Sequence, residues 1–216
     1  MQPDYWLERW QNGHIGFHQE SPNARLVGNH ARVLNDSLRV VVPLCGKSVD
    51  LEWLVVRGHE VVGIELSELA ARAFFEERQI APTKSVAGAF TVYEHAGVRI
   101  FVGDFFTATE ADVGLFDGAY DRAAMIALPD DLRQRYVSHL KTLLLPKAKL
   151  LLVTLHYDAV GGPPFSVPPE EVERTYADAR VSLLESVDAY AETPGPVSRG
   201  ASFVHENAYA IEFPDG

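Results

Sequence analysis

The chain has 216 residues, of which 47% are hydrophobic and 23% charged, and its formal net charge is −11. This composition is typical of a globular domain and excludes a disordered or fibrous chain. The acidic balance disfavours nucleic acid as a partner, and no apolar run reaches the roughly 20 residues that cross a membrane.

The segment before residue 38 has no strand pattern but concentrates aromatic residues, among them Trp6, Trp10 and Phe17. We expect it to fold back over the remainder of the chain. His14 and His18 also lie in this segment, and the sequence alone does not favour a substrate contact for either. The predicted organisation is a single domain, 1–216, with an aromatic cover over the active site (1–37) and a core (38–216).

From residue 38 onward, β-branched runs alternate with helical patterns, which is typical of βαβ units around a parallel sheet. The predicted strands are 39–43, 60–64, 90–93, 98–102, 116–120, 149–155, 181–191 and 202–213. The predicted helices are 48–57, 68–78, 129–145 and 170–179. The run 39–43 is apolar without alternation, as expected for a strand covered on both faces. The last two strands are expected to form an antiparallel hairpin at the sheet edge.

Ligands of open α/β sheets bind at the carboxyl ends of the strands, so the turn after the first strand is the first candidate. It contains Gly46, Lys47 and Ser48. A P-loop would need a glycine at the position of Val41, and the dinucleotide pattern needs further glycines in this turn. These absences exclude a nucleotide triphosphatase of the P-loop type. The single Gly46 still permits close approach of a ligand to the backbone.

Acidic and aromatic residues follow the next two strands. Glu65 ends the second strand, where a carboxylate can accept hydrogen bonds from both hydroxyls of a ribose. Asp104 follows a later strand and could accept from an exocyclic amine, while Phe105 could pack on a base. Together these turns outline a nucleoside site without a phosphate cradle, a pattern that fits S-adenosylmethionine.

Other interpretations remain open from the residues alone. Glu65 could be a solvated cap, and Asp121 with Arg122 could form a salt-bridged turn. A nicotinamide-dependent oxidoreductase shares the sheet and the acidic ribose contact, and a non-catalytic S-adenosylmethionine or nucleoside-binding protein would share the whole pattern.

The single Cys45 cannot form an internal disulfide, and the histidines show no metal-ligand spacing, so we expect no metal. The N-terminus lacks a signal-peptide pattern, which predicts a cytoplasmic protein.

Several motifs spread over nearly the whole chain carry a more specific signal. They are Trp6-x-x-x-Trp10, Phe17-His18-Gln19, Pro43-Leu44-Cys45-Gly46-Lys47, Arg57-Gly58-His59, the run 62–69, Asp121-Arg122 and Gly162-Pro163-Pro164-Phe165. This set resembles the thiopurine S-methyltransferase family, in its bacterial branch. The resemblance implies a Rossmann-like methyltransferase fold: a mostly parallel seven-stranded sheet with helices on both faces and an antiparallel C-terminal edge.

The resemblance also implies a chemistry. S-adenosylmethionine would be the methyl donor, and a small aromatic or heterocyclic thiol or selenol would be the acceptor. Bacterial members are linked to methylation of selenium and tellurium compounds as well. We expect the protein to act as a monomer on these small molecules.

The resemblance also implies which residues form the site, because residues at matching motif positions are expected to have the same roles. The cofactor contacts would be made by Trp10, Leu44, Glu65 and Arg122, with Gly46, Asp104 and Phe105 added from the turns. Phe17 resembles the aromatic residue that closes the pocket. A guanidinium near the acceptor favours its anionic form, and Arg122 is the first candidate for this role and Arg199 the second. The sequence departs from the animal pattern at Asp104 and at 192–194, so the acceptor is less defined than the reaction.

Overall fold

The computed structural model describes residues 3–215 and contains a mixed sheet with helices on both faces. The helices are α1 (Pro3–Gln11), α2 (Ala24–Val33), α3 (Asp50–Val56), α4 (Glu68–Glu76), α5 (Glu110–Val113), α6 (Asp130–Thr142), α7 (Pro169–Thr175) and α8 (Pro194–Ser198). The strands are β1 (Arg39–Pro43), β2 (Glu60–Glu65), β3 (Thr83–Ala87), β4 (Phe90–His95), β5 (Val98–Val102), β6 (Phe116–Arg122), β7 (Leu144–Tyr157), β8 (Arg180–Asp188) and β9 (Val204–Glu212). Residues 1, 2 and 216, which the predicted cover and core include, lie outside the described range.

The strands follow the order β3-β4-β5-β2-β1-β6-β7-β9-β8. Strands β5, β2, β1, β6 and β7 are parallel, and β9 and β8 are antiparallel to their neighbours. The predicted Rossmann-like fold with an antiparallel C-terminal part is confirmed. The described sheet has nine strands rather than the expected seven, because β3 and β4 extend it beyond β5. Strand β9 is internal, so only β8 of the predicted hairpin forms the edge.

Burial of the central strands explains their uninterrupted apolar sequence. Val40 and Val41 are 0% exposed, because helices cover both faces of the parallel sheet. Helices α5, α6 and α7 pack on one face, and α2, α3 and α4 pack on the other. The carboxyl ends of β1, β2 and β6 therefore meet at one edge of a rigid layer.

Helix α2 is fixed to the sheet by polar contacts at several points. Asn23 caps the helix by accepting from the backbone amides of residues 25 and 26. The Arg25 guanidinium lies 2.8 Å from the Glu185 carboxylate of β8. Farther along the helix, the Nε2 atoms of His30 and His59 lie 2.6 Å apart in a buried pair. These contacts attach α2 to the sheet at its start and near its end.

A buried carboxylate lies near the end of β6. Asp121 is 0% exposed, and its Oδ2 accepts a hydrogen bond of 2.7 Å from the hydroxyl of Tyr136. Its Oδ1 accepts from the amides of Ala124 and Met125. Burial raises the pKa of Asp121 from 3.8 to about 6, although these hydrogen bonds act in the opposite direction.

This raised pKa predicts a pH dependence of stability. Between the unfolded and folded pKa values the folded state binds the proton more strongly, so the contribution of Asp121 is present below pH 3.8 and is lost as the pH rises through about 6. We expect the difference in unfolding free energy between wild type and Asp121→Asn to change by about 3 kcal/mol over this range. Urea unfolding at several pH values measures it, with the exposed Asp131→Asn as the control. Parallel curves for wild type and Asp121→Asn would contradict the assignment.

Candidate active site

The turns at the carboxyl ends of β1 and β6 have an unusual backbone. Leu44 and Ala123 adopt φ values of 49° and 74°, in the left-handed region that side chains with a Cβ rarely occupy. Gly46 has a φ of 55° in the same β1 turn. Backbone strain of this kind concentrates at functional sites, and the crevice between β1 and β6 lies where the strand order reverses.

A cleft opens between these two turns. It is lined by Trp10, Phe17, His18, Val42, Leu44, Cys45, Gly46, Lys47, Ser48, Asp50, Tyr120, Arg122 and Ala123. The structure therefore brings together five of the predicted site residues: Trp10, Phe17, Leu44, Gly46 and Arg122. Glu65, Asp104, Phe105 and Arg199 are not in this lining. A second, larger surface cleft, between residues 147, 178–180 and 212–215, lies away from these turns and contains none of the predicted residues.

The N-terminal aromatic residues form one wall of the cleft. Trp10 is 7% exposed, and the Phe17 ring packs edge-on against it at 5.6 Å and against Trp6 at 5.7 Å. A Cβ added to Gly46 would lie 3.1 Å from Trp10 Cζ2. A side chain at position 46 would therefore push the wall away, and the glycine is needed for both its φ and its lack of a Cβ.

Glu65 lies directly behind this turn. Its Oε2 accepts a hydrogen bond of 2.8 Å from the amide of Gly46, and its Oε1 accepts one of 2.8 Å from the amide of Ser67. Burial raises the pKa of Glu65, while the amides of residues 67, 46 and 66 oppose the shift. Each carboxylate oxygen accepts one amide and keeps a second lone pair for a ligand hydroxyl.

Asp104 and Phe105, the predicted adenine contacts, lie outside the cleft lining, and their role stays a prediction. Asp104 is exposed and caps a short 3-10 turn by accepting from the amide of Phe106 at 2.9 Å. Phe105 is 4% exposed, and its ring packs against Tyr136 at 5.2 Å and His139 at 5.0 Å. The short turn thus directs Phe105 into the core, where it supports this end of the sheet without lining the cleft.

Arg122 presents a charged group to the cleft. Within residues 3–215 its guanidinium forms no ion pair, although its charge lies close enough to affect His18 and Glu206. The neighbouring Asp121 points to the opposite face of β6 and binds Tyr136, because successive side chains of a strand alternate. The interpretation of Asp121 and Arg122 as a salt-bridged turn is therefore wrong.

Arg199 serves the loop that follows β7. Its Nη2 donates to the Pro164 carbonyl at 2.9 Å and to the Tyr157 hydroxyl at 3.0 Å. The residue as a whole is exposed and lies outside the cleft lining. These hydrogen bonds of Nη2 hold the loop, and the predicted substrate contact of Arg199 stays a prediction.

Asp50 and Tyr120 are two of the cleft residues that were not predicted as site residues. Asp50 is 2% exposed, and its carboxylate accepts from the backbone amide of Asn23 at 2.8 Å and from the Tyr120 hydroxyl at 3.0 Å. It thereby joins the start of α2, the start of α3 and the end of β6. In the sequence Asp50 has only the signature of an acidic residue in the first turn of a helix.

Neither a metal-binding cluster nor a membrane-spanning helix is found among the described residues. Within residues 3–215, no three His, Cys, Asp or Glu side chains cluster in a way that could hold a metal ion. In the same part of the chain, every helix is too short or too polar to span a bilayer.

The chain is similar to a known protein family over nearly its whole length. The model of the thiopurine S-methyltransferase family matches residues 1–213. A thiopurine S-methyltransferase of Pseudomonas fluorescens is 45% identical over 215 residues, covering 98% of this chain and 99% of the relative. One from Azotobacter vinelandii is 43% identical over 216 residues, with 98% and 99% covered.

The fold has counterparts among solved structures. The Burkholderia thailandensis 1,6-didemethyltoxoflavin-N1-methyltransferase, solved with 1,6-didemethyltoxoflavin and S-adenosylhomocysteine, superposes with a TM-score of 0.66 at 15% identity. The match covers 99% of this chain and 87% of the other. At this identity the similarity establishes the S-adenosylmethionine-dependent methyltransferase fold.

Proposed function

Because the chain belongs to the thiopurine S-methyltransferase family and is therefore an S-adenosylmethionine-dependent methyltransferase of thiols, we propose that it methylates the sulfur of heteroaromatic thiols such as thiopurines. The observation that supports this most directly is the cleft, where an aromatic wall faces a guanidinium that has no ion pair within residues 3–215. An apolar wall suits a flat ring, and a cation beside it suits an anionic sulfur.

The residues at the β1 turn fit the methyl donor. S-adenosylmethionine supplies a methyl group already activated by its sulfonium. The Glu65 carboxylate would hold the ribose hydroxyls, and Gly46 lacks the Cβ that would fill the space before Trp10. Leu44 and Trp10 would contact the cofactor from the two sides of the cleft. The main task left to the protein is alignment of the acceptor with the methyl carbon.

Arg122 would orient the acceptor. A thiol that loses its proton gains a negative charge, and a nearby guanidinium stabilises that charge without taking a proton itself. A selenol is more acidic and has a larger, softer nucleophilic atom, so selenium and tellurium compounds are included in the proposed acceptors. We further propose that the protein works as a monomeric single domain in the cytoplasm, with residues 1–37 as its cover.

A labelled-methyl assay tests the proposal. The protein and S-adenosylmethionine are incubated with heteroaromatic thiols, selenols and selenium and tellurium oxyanions, with matched phenols as oxygen controls. We expect repeated turnover with the thiols and none with the phenols. Transfer only to phenols or amines would overturn the proposal, and tight S-adenosylmethionine binding without transfer would favour the non-catalytic binding protein. Because the chain belongs to a methyltransferase family, the alternative interpretation as a nicotinamide-dependent oxidoreductase is set aside.

Glu65 provides a test of the cofactor site. Glu65→Gln keeps the shape of the side chain, but the amide nitrogen cannot accept, so one of the two backbone amides loses its partner. A hydrogen bond to a charged group contributes about 1.5–3 kcal/mol, which predicts at least about a tenfold weaker Kd for S-adenosylmethionine. Calorimetry measures this Kd, and Glu76→Gln, an exposed glutamate of α4 that pairs only with Arg72 among the described residues, is the control. An unchanged Kd in a folded variant would remove Glu65 from the cofactor site.

A further inference from the structure

The transfer of a methyl group to a neutral thiol releases a proton, and the cleft must give that proton a destination. An ordinary thiol has a pKa near 8.5 and is mostly protonated at neutral pH. Arg122 can stabilise the thiolate but cannot accept a proton, because a guanidinium stays charged at any physiological pH. A separate acceptor is therefore of value wherever the substrate arrives as the thiol.

Most polar groups of the cleft are already engaged. Both carboxylate oxygens of Asp50 accept hydrogen bonds, from Asn23 and Tyr120. Burial raises the pKa of the Cys45 thiol well above its ordinary value, so this group holds its own proton. Lys47 is a cation paired with Glu77 at 2.5 Å. None of these groups is free to act as a base.

His18 differs from all of them. It lies in the cleft lining between Phe17 and the turn after β1, and its ring has no hydrogen-bond partner within residues 3–215. Its backbone is fixed by a 2.8 Å hydrogen bond from its amide to the carbonyl of Ile15. The residue is half-buried, and as part of the cleft lining it can contact a molecule bound there.

The charges around His18 keep its ring neutral. Lys47 from the β1 turn and Arg122 from β6 lower its pKa together with burial, which is the largest cause. Glu20 in its own segment and Glu77 from α4 act in the opposite direction without reversing the shift. The carboxylate of Asp50, which also lines the cleft, accepts hydrogen bonds from the Asn23 amide and the Tyr120 hydroxyl. A neutral imidazole has one nitrogen that accepts a proton.

We propose that His18 is the base that removes the proton from the acceptor thiol, next to the guanidinium of Arg122. The inference rests on the proposed function. As the acceptor sulfur attacks, its S–H bond breaks and the proton moves to the imidazole. The new S–CH₃ bond takes the methyl carbon from the sulfonium, whose sulfur keeps the electron pair and becomes a neutral thioether. The imidazolium then returns its proton to water, so atoms and charge balance.

A series of heteroaromatic thiols of graded acidity separates this role from a structural one. A base matters for acceptors that arrive protonated and is irrelevant for those that are already thiolates at the assay pH. With His18→Gln we expect kcat/KM to fall about 100-fold or more for thiols of pKa above about 8, and less than about threefold for thiols of pKa below about 6. His14→Gln, an exposed histidine of the same segment, is the control and should behave as wild type.

A spectroscopic measurement gives a second readout that does not depend on turnover. A chromophoric thiol of pKa about 8 is bound at pH 7 together with S-adenosylhomocysteine, and its thiolate absorbance and the His18 ring signals in NMR are recorded. Wild type should bind the thiol with its S–H donated to the neutral imidazole, which shifts the His18 ring signals, and His18→Gln should bind the same thiol protonated and without this partner.

An equal loss of activity across the thiol series, or thiolate binding in His18→Gln, would overturn the role of His18 while leaving the proposed function intact. Wild-type protein that methylates no thiol of any acidity would overturn both.

Discussion

Removal of residues 1–20 is expected to lower turnover by at least about 100-fold and to leave the sheet folded. The segment supplies Trp10 and Phe17, two of the aromatic side chains that enclose the cleft. Among the described residues 3–20, none belongs to the buried clusters that join the sheet to its helices. The loss should therefore fall on cofactor binding and alignment, because an open cleft admits water and no longer confines the reactants.

Steady-state kinetics and S-adenosylmethionine calorimetry measure the loss of activity and of cofactor binding, and the Tm of the truncated protein shows whether it remains folded. A synthetic peptide of residues 1–20 provides the control, since its addition in excess should restore part of the activity. Full activity of the truncated protein would show that the segment serves only as packing.

Arg122→Ala is expected to lower kcat/KM by at least about 100-fold, and Arg122→Lys by a smaller factor. Lysine keeps the positive charge but lacks the planar guanidinium with its fixed donors, so it recognises an anion at one point instead of two. Because Arg122 has no ion pair within residues 3–215, its removal should change the unfolding free energy by less than about 1 kcal/mol.

The comparison variant is Arg199→Ala. This change removes the hydrogen bonds to Pro164 and Tyr157, so we expect a lower Tm with a smaller effect on kcat/KM. If the Arg122 variants instead lose activity only in proportion to lost folding, Arg122 braces its turn and the acceptor-orienting role passes to Arg199.

The sequence predicted the parts of the fold that depend on local pattern and on burial. The run Val40 to Val42 is apolar because it is enclosed on both faces, and that signal correctly indicated a central parallel strand. Strand β3 was missed because four of its five residues are exposed, so its sequence lacks apolar alternation. The sequence therefore indicated β4, through the run 90–93, but gave no signal for the outermost strand β3.

The sequence could predict those parts of the candidate site that lie at the ends of recognisable strands. Gly46 and Glu65 end neighbouring strands, and their hydrogen bond follows from parallel pairing of β1 with β2. The pairing of Asp50 with Tyr120 spans 70 residues and depends on the three-dimensional packing of α3 against β6. Arg199 shows another limit of prediction from residue type. An arginine is suited to substrate recognition, but the sequence does not reveal that this one also holds a loop.

The hydrogen bond from the Asn23 amide to Asp50 fixes the chain close to the point where the cover leaves the cleft. This anchor shortens the free length of chain that carries Trp10 and Phe17, so an opened segment would stay near the site at an effective concentration in the millimolar range. Reclosure is then a first-order step whose rate is independent of protein concentration. With the proposed cover, product exchange in each cycle would then require only this intramolecular step.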